Sequence, residues 1–244
     1  MNRRTVLIFT LVFCFSFLAI GVEGQPNYEV VAVYGSTPTP DGAISAGEWD
    51  DAASVSLNNT EVFVKQDGEY LYVAFNVSDS TLNEEDSVSV LFDIYHDGGT
   101  TFGPDDVALG ISLGGEPTEI QLLYGSVIPF GWWAGVSYDS EWWQAEFGIL
   151  YEKIAVTAGV EKSLGVAFIV VDSAATEPPS YYQYTWPPNL FVGESMEPPS
   201  KWGDMTSTGY NWIPEFPSFH IPLVFMVAAL LAVLVYRRKH SMYH

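Results

Sequence analysis

The side chains best equipped for chemistry in this sequence are carboxylates beside glycine turns and flat rings beside predicted turns. Asp93-Ile94-Tyr95-His96-Asp97-Gly98-Gly99 leads into Gly103-Pro104-Asp105-Asp106. Asp93, Asp97, Asp105 and Asp106 are thereby gathered at one predicted strand end and its glycine turn. Unpaired, such carboxylates repel one another. A calcium ion, which takes about six to eight oxygen ligands, would relieve that repulsion. A solvated acidic turn is the alternative, and the spacing differs from the EF-hand loop. Asp41, Asp50 and Asp51 make a second, looser group. The candidate rings are Trp132, Trp133, Trp142, Tyr182, Tyr184 and Trp186. Sugar C–H groups stack on such faces while nearby amides and carboxylates pair with hydroxyls. Trp142 is expected to point away from its core neighbours, and Trp186 stands among prolines that could present it rigidly. Trp49 and Trp143 are expected inside.

Other chemistries lack their residues. Cys14 is the only cysteine and falls in the N-terminal apolar run, so residues 25–205 carry no disulfide, thiol nucleophile or iron–sulfur ligand. His96 is the only histidine of that stretch, which excludes the usual zinc sites. No His-Glu-x-x-His or phosphate loop occurs. Two carboxylates across a cleft could serve a glycosidase, but among 30 acidic residues some pair fits by accident. The pattern favours binding over catalysis.

The elements that must position these groups read as short strands. In 70–78, Leu71, Val73, Phe75 and Val77 share one face and Tyr70, Tyr72, Ala74 and Asn76 the other. Val88, Val90, Phe92 and Ile94 share a face, as do Val107, Leu109, Ile111 and Leu113. Trp143, Ala145, Phe147 and Ile149 oppose Trp142, Gln144 and Glu146. The nearly unbroken apolar run 164–171 predicts a strand buried on both faces. Only 151–158 hints at a helical turn. Glycine, proline, asparagine and aspartate separate the runs, which predicts an all-β, antiparallel β-sandwich over 25–205.

The ends carry addresses. Met1-Asn2-Arg3-Arg4, an apolar run and small residues at 22–24 predict a signal peptide over 1–24. Residues 206–218 read as a linker. Residues 219–236 are long and apolar enough for a transmembrane helix of roughly 27 Å, and the basic tail 237–244 predicts an outward-facing domain. Between the two ends, four basic residues against 29 acidic ones leave a net charge of −25 on residues 25–218. That charge repels nucleic acid.

Two resemblances follow from quoted motifs. Pro214-Glu215-Phe216, then an apolar span, then Arg237-Arg238-Lys239 resembles the sorting tail of archaeal surface proteins. The resemblance implies processing by an archaeosortase and a lipid in place of the helix. Asp41-Gly42 with Trp49 and Ala52, Leu71-Tyr72 with Asp79, Asp86 to Asp93, Trp143-Gln144-Ala145-Glu146, and Pro199-Ser200-Lys201-Trp202-Gly203 resemble, in that order, the landmarks of family 9 carbohydrate-binding modules and DOMON-like sandwiches. The family implies a jelly-roll or DOMON-like sandwich that binds poly- or oligosaccharide, with calcium in a structural role. DOMON-like relatives imply an alternative, a haem held by His96 with Met196 or Met205. A purely structural envelope protein is a third reading.

Overall fold

The computed structural model describes residues 28–127, 130–173 and 181–207. The expected signal peptide, the sorting motif, the apolar span and the basic tail lie outside the described residues. Among the described residues, no helix is long and apolar enough to cross a membrane.

The chain forms β1 (Glu29–Tyr34), β2 (Ala53–Leu57), β3 (Thr60–Gln66), β4 (Tyr70–Ser78), β5 (Ser87–Asp93), β6 (Asp106–Ser112), β7 (Pro117–Gln121), β8 (Gly125–Val127), β9 (Trp132–Tyr138), β10 (Trp142–Leu150), β11 (Leu164–Asp172), β12 (Tyr182–Trp186), β13 (Phe191–Val192), β14 (Ser195–Met196) and β15 (Gly203–Ser207). A front sheet runs β8-β7-β6-β5-β11-β15-β1, with β12 also on β11. A back sheet runs β1-β3-β4-β10-β9, with β2 also on β3. β1 belongs to both. Its residues 29–32 pair with β15 and its residues 33–34 with β3. Both of these pairings are parallel, which corrects the expectation of a wholly antiparallel sandwich. The reason is topological: a strand that passes from one sheet to the other meets both neighbours without a hairpin.

Period-two alternation sends one set of side chains between the sheets. Leu71, Val73, Phe75 and Val77 meet Val88, Val90, Phe92, Leu109, Ile111 and Phe168 in one core. Phe75 packs edge-on against both Phe147 and Phe168, joining the two layers. Trp143 is completely buried there, as expected. The continuous run of β11 is buried on both faces because Leu91, Ala167 and Ile169 are covered from outside by Leu190 and Trp202. Residues 151–155 make turns, and the only helix among the described residues is the 3-10 turn Pro199–Lys201.

A second cover lies on the outer back face. Trp49 packs over Tyr72 and Ala74. Its Nε1 donates to Glu146 Oε1 at 2.7 Å, and Gly42 N donates to Glu146 Oε2 at 2.9 Å. Gly42, at φ +95°, lies against the backbone of Gly135 and Val136, where a β-carbon would meet Val136 N at 2.2 Å. Burial pushes the Glu146 carboxyl up to about 7, against the lowering effect of its two donors. Lys65, fully buried, ties the same loop by donating to Asp51 Oδ1 at 2.9 Å and to the Glu48 carbonyl, 5.0 Å from the Trp49 ring centroid. Asp51 is pulled down to about 2: hydrogen bonds from Ser36 and Lys65 outweigh the effect of burial.

Candidate functional site

The six candidate rings fall into three groups. Trp132 and Trp186 are core residues, each 8 % exposed, which corrects the expectation that they form a platform. Trp132 stacks on Phe147 at 6.0 Å and donates Nε1 to Glu119 Oε2 at 2.8 Å. Glu119 also accepts from Lys153, so this trio ties β7 to the back sheet. Trp186 packs between Phe168 and Tyr28. It ends β12 opposite Phe168, and that pairing turns the ring inward.

Trp133 is the next residue in chain order and points the other way. It is 39 % exposed on the outer back face. A β-carbon on Gly148 would meet three atoms of its benzo ring at 2.4–2.9 Å, so one ring face lies on the glycine and the other is turned outward. Tyr70 stands edge-on to it at 4.9 Å and 76°. Tyr72, beside Tyr70, donates its hydroxyl to Asp67 Oδ2 at 2.7 Å. Amide donors from Tyr70 and Glu69, with the Tyr72 hydroxyl, overcome burial and hold the Asp67 carboxyl below its usual range. The result is a shelf: an open indole face, a perpendicular phenol and an ionised acceptor. Tyr70 and Gly148 were not among the expected site residues. Tyr70 lay on the non-core side of its strand, but only the pairing of β10 with β4 and β9 reveals that both residues adjoin Trp133.

Trp142, Tyr182 and Tyr184 sit at the opposite end of the sandwich. Trp142 pairs with Ser78, six residues along β10 from the Gly148–Trp133 pair, roughly 20 Å away at ~3.4 Å per residue. No single platform can include both tryptophans. Tyr182 is half-exposed, and Tyr184 packs against the core edge opposite Val170.

The glycine turn after β5 brings Asp93, Asp105 and Asp106 together, with carboxylate oxygens within 4.8 Å of one another. Asp97 lies outside this set, and its Oδ1 accepts Gly99 N at 3.0 Å within its own turn. The three remaining carboxylates already receive loop amides. Asp93 accepts from Asp97 N and Gly98 N, Asp105 from Tyr95 N, and Asp106 from Gly103 N. Burial, with the charges of Asp93, Asp105 and Asp97, pushes Asp106 up to about 6 despite the Gly103 amide. Asp41 and Asp51 do not converge: Asp41 accepts from Ala43 N, and Asp51 belongs to Lys65 and Ser36.

Among the described residues, the groups named for haem or acid catalysis are engaged elsewhere, with Met196 packed beside the Leu190 and Trp202 cluster. His96 Nε2 is 2.8 Å from Asp204 Oδ1, and Met205 is completely buried in the core. Glu146 has a proton affinity suited to general acid work, but it is fully buried and both oxygens are occupied.

The fold is shared with known structures. A family 9 carbohydrate-binding module from Caldicellulosiruptor kristjanssonii in complex with cellotriose aligns with a TM-score of 0.57 and 18 % identity, over 74 % of this chain and 94 % of that one. The same module in complex with glucose aligns at 0.56 and 18 %, over 74 % and 96 %. A Bacteroides uniformis protein with a provisional carbohydrate-binding assignment aligns at 0.53 and 9 %, over 75 % and 100 %. No family model matches the sequence, and no curated protein matches it.

Proposed function

We propose that this chain is a non-catalytic, surface-displayed domain that binds oligosaccharide on the shelf formed by Trp133 and Tyr70. The observation that carries the reading is the outward face of Trp133, fixed against Gly148 on a sandwich shaped like glycan-binding modules. An indole face is ready to take the C–H side of a pyranose, and the Asp67 carboxylate, held by the buried Tyr72 hydroxyl, stands beside Tyr70 as the nearby polar group. Glucose and cellotriose, the ligands of the similar module, are the first sugars to try.

The test is a glycan array followed by calorimetric titration of the full-length chain. Trp133→Ala is expected to weaken binding at least tenfold, whereas Trp142→Ala leaves it within twofold. Absence of saturable binding to any glycan would leave the structural envelope reading in its place.

The proposed setting is the outer face of a cell membrane, reached through the signal peptide 1–24. The span 219–236 or a lipid added after cutting near Pro214-Glu215-Phe216 would hold the domain there. Mass spectrometry of the mature C-terminus distinguishes the two anchors. A structural calcium on Asp93, Asp105 and Asp106 belongs to the same proposal, supported by the convergence of their oxygens.

A further inference from the structure

Two stretches of the chain fit the asparagine-x-serine/threonine pattern of N-glycosylation acceptors, Asn58-Asn59-Thr60 and Asn76-Val77-Ser78. The pattern alone does not choose between them, but the fold does. Leu57 ends β2 and pairs with Thr60, which opens β3, so Asn58 and Asn59 are the two central residues of a tight hairpin. Asn58 is exposed at the tip, with φ +43° in the left-handed region that asparagine tolerates. Asn59 Nδ2 donates to the Ser78 carbonyl and so fastens the turn to the end of β4. Asn76 is set in the middle of the back sheet. It pairs with Glu61 of β3 on one side and with Gln144 of β10 on the other. Its Oδ1 accepts Gln144 Nε2 at 3.1 Å, and Gln144 Oε1 accepts Ile44 N at 3.0 Å from the loop that covers this face. A sugar on Asn76 would push Gln144 and that loop off the sheet.

Thr60 supplies an independent observation. It is 3 % exposed, and its hydroxyl is buried without a hydrogen-bond partner. Such a hydroxyl lowers stability, and a valine of the same shape would fill the position without that loss. The backbone of the turn accounts for an asparagine at 58, but nothing in the fold accounts for an oxygen at 60. An acceptor pattern does, because its third residue must carry a hydroxyl.

We propose that Asn58 is an N-glycosylation site, modified during export before Thr60 closes into the β-ladder, and that Asn76 stays bare in the folded chain. The donor is an oligosaccharide carried on a polyprenyl phosphate or pyrophosphate, and the partner is a membrane oligosaccharyltransferase. Asn58 Nδ2 forms a bond to the anomeric carbon as the C–O bond from that carbon to the lipid phosphate breaks. The phosphate leaves with the electron pair, and a base of the transferase takes the amide proton. Thr60 pairs with Val77, five residues along β4 from Tyr72, whose partner Gly148 lies beside Trp133. That separation is roughly 17 Å at ~3.4 Å per residue, so the attached sugar leaves the shelf open. The site rests on the proposed outward setting and is independent of the sugar-binding reading.

The experiment expresses the full-length chain, with residues 1–24 intact, in a host that N-glycosylates its exported proteins. Mass spectrometry then reads the N-terminus and the peptides that hold residues 58 and 76. The expected result is cleavage near Gly24, added sugar mass on the Asn58 peptide and none on the Asn76 peptide. Asn58→Gln should abolish the added mass, and Thr60→Ser should keep it. Thr60→Val should lower occupancy of Asn58 at least tenfold. On the Asn58→Gln background, the same Thr60→Val change should leave Tm equal or higher, since no bond in the fold is lost. A cleaved chain with bare Asn58, a sugar on Asn76 in its place, or unchanged occupancy in Thr60→Val would overturn the proposal and leave the outward setting standing. An uncut, bare chain would overturn both.

Discussion

The outer face of the back sheet is covered in one half and open in the other. Both halves are built from the same alternation along β4, β9 and β10. In the covered half, Trp49 descends from the loop before β2 and is fixed by Glu146 and Lys65. In the open half, Trp133 rises from the sheet itself and lies on Gly148 with Tyr70 at its edge. The first tryptophan is bound by charge from below, and the second is supported by shape alone. A ring that serves the fold is fastened through its N–H, while a ring free to meet a ligand keeps one face unused.

Disturbing the covered half should have the largest effect. Lys65→Met removes the buried cation that Asp51 and the Glu48 carbonyl rely on, and is expected to cost about 1–3 kcal/mol in chemical denaturation, because the half-exposed Asp51 carboxylate is left solvated while the carbonyl loses its donor. If it costs less than about 1 kcal/mol, the loop is held by packing and the contrast with Trp133 weakens.

Glu146 should show itself through pH. Its folded carboxyl titrates near 7 against an ordinary value of 4.5, so the folded state holds the proton more tightly than the unfolded chain. Its contribution is full below the unfolded value and is lost as pH rises through about 7. Between pH 8 and pH 5 the wild type should gain on the order of 2–3 kcal/mol more than Glu146→Gln. Parallel pH profiles for the two proteins would show that the group does not titrate in this window.

The open half should answer in binding instead of stability. Gly148→Ala places a β-carbon where the Trp133 ring lies. Displacing the ring should weaken oligosaccharide binding at least tenfold, for about 1 kcal/mol or less in stability because the ring is partly solvated already. Smallest of all should be Tyr182→Ala, on the far end of the sandwich, with sugar affinity unchanged within twofold.

Much of this was legible before any coordinates. Period-two alternation placed the inward faces of β4, β5, β6 and β10 correctly, because a sheet with one dry face leaves no freedom of register. Trp143 followed from the same logic, whereas Trp49 stands in the loop before β2, where no strand alternation applies. Local sequence could not decide between Trp132 and Trp133, since adjacent residues on a strand face opposite ways and the parity depends on which partner strand lies alongside. Trp186 was misjudged because prolines fix a loop without saying which side of it is wet. The convergence of the Asp79, Asp86 and Asp172 carboxylates was missed, since Asp172 closes a long apolar run and the other two lie about 90 residues before it. Their meeting exists only in the three-dimensional pairing of β5 with β11 and the approach of β4 from the other sheet.

The strand shared between the sheets has a mechanical consequence. β15 lies between β11 and β1, antiparallel to the former and parallel to the latter. A pull on the chain beyond Ser207, directed along the strand axis, therefore loads both ladders in shear, with many bonds strained together and none peeled singly. The first half of β1 passes that load to the front layer and the second half to the back layer. A domain tugged from its C-terminal side would resist as one body, with the force spread over both layers before any strand slides free.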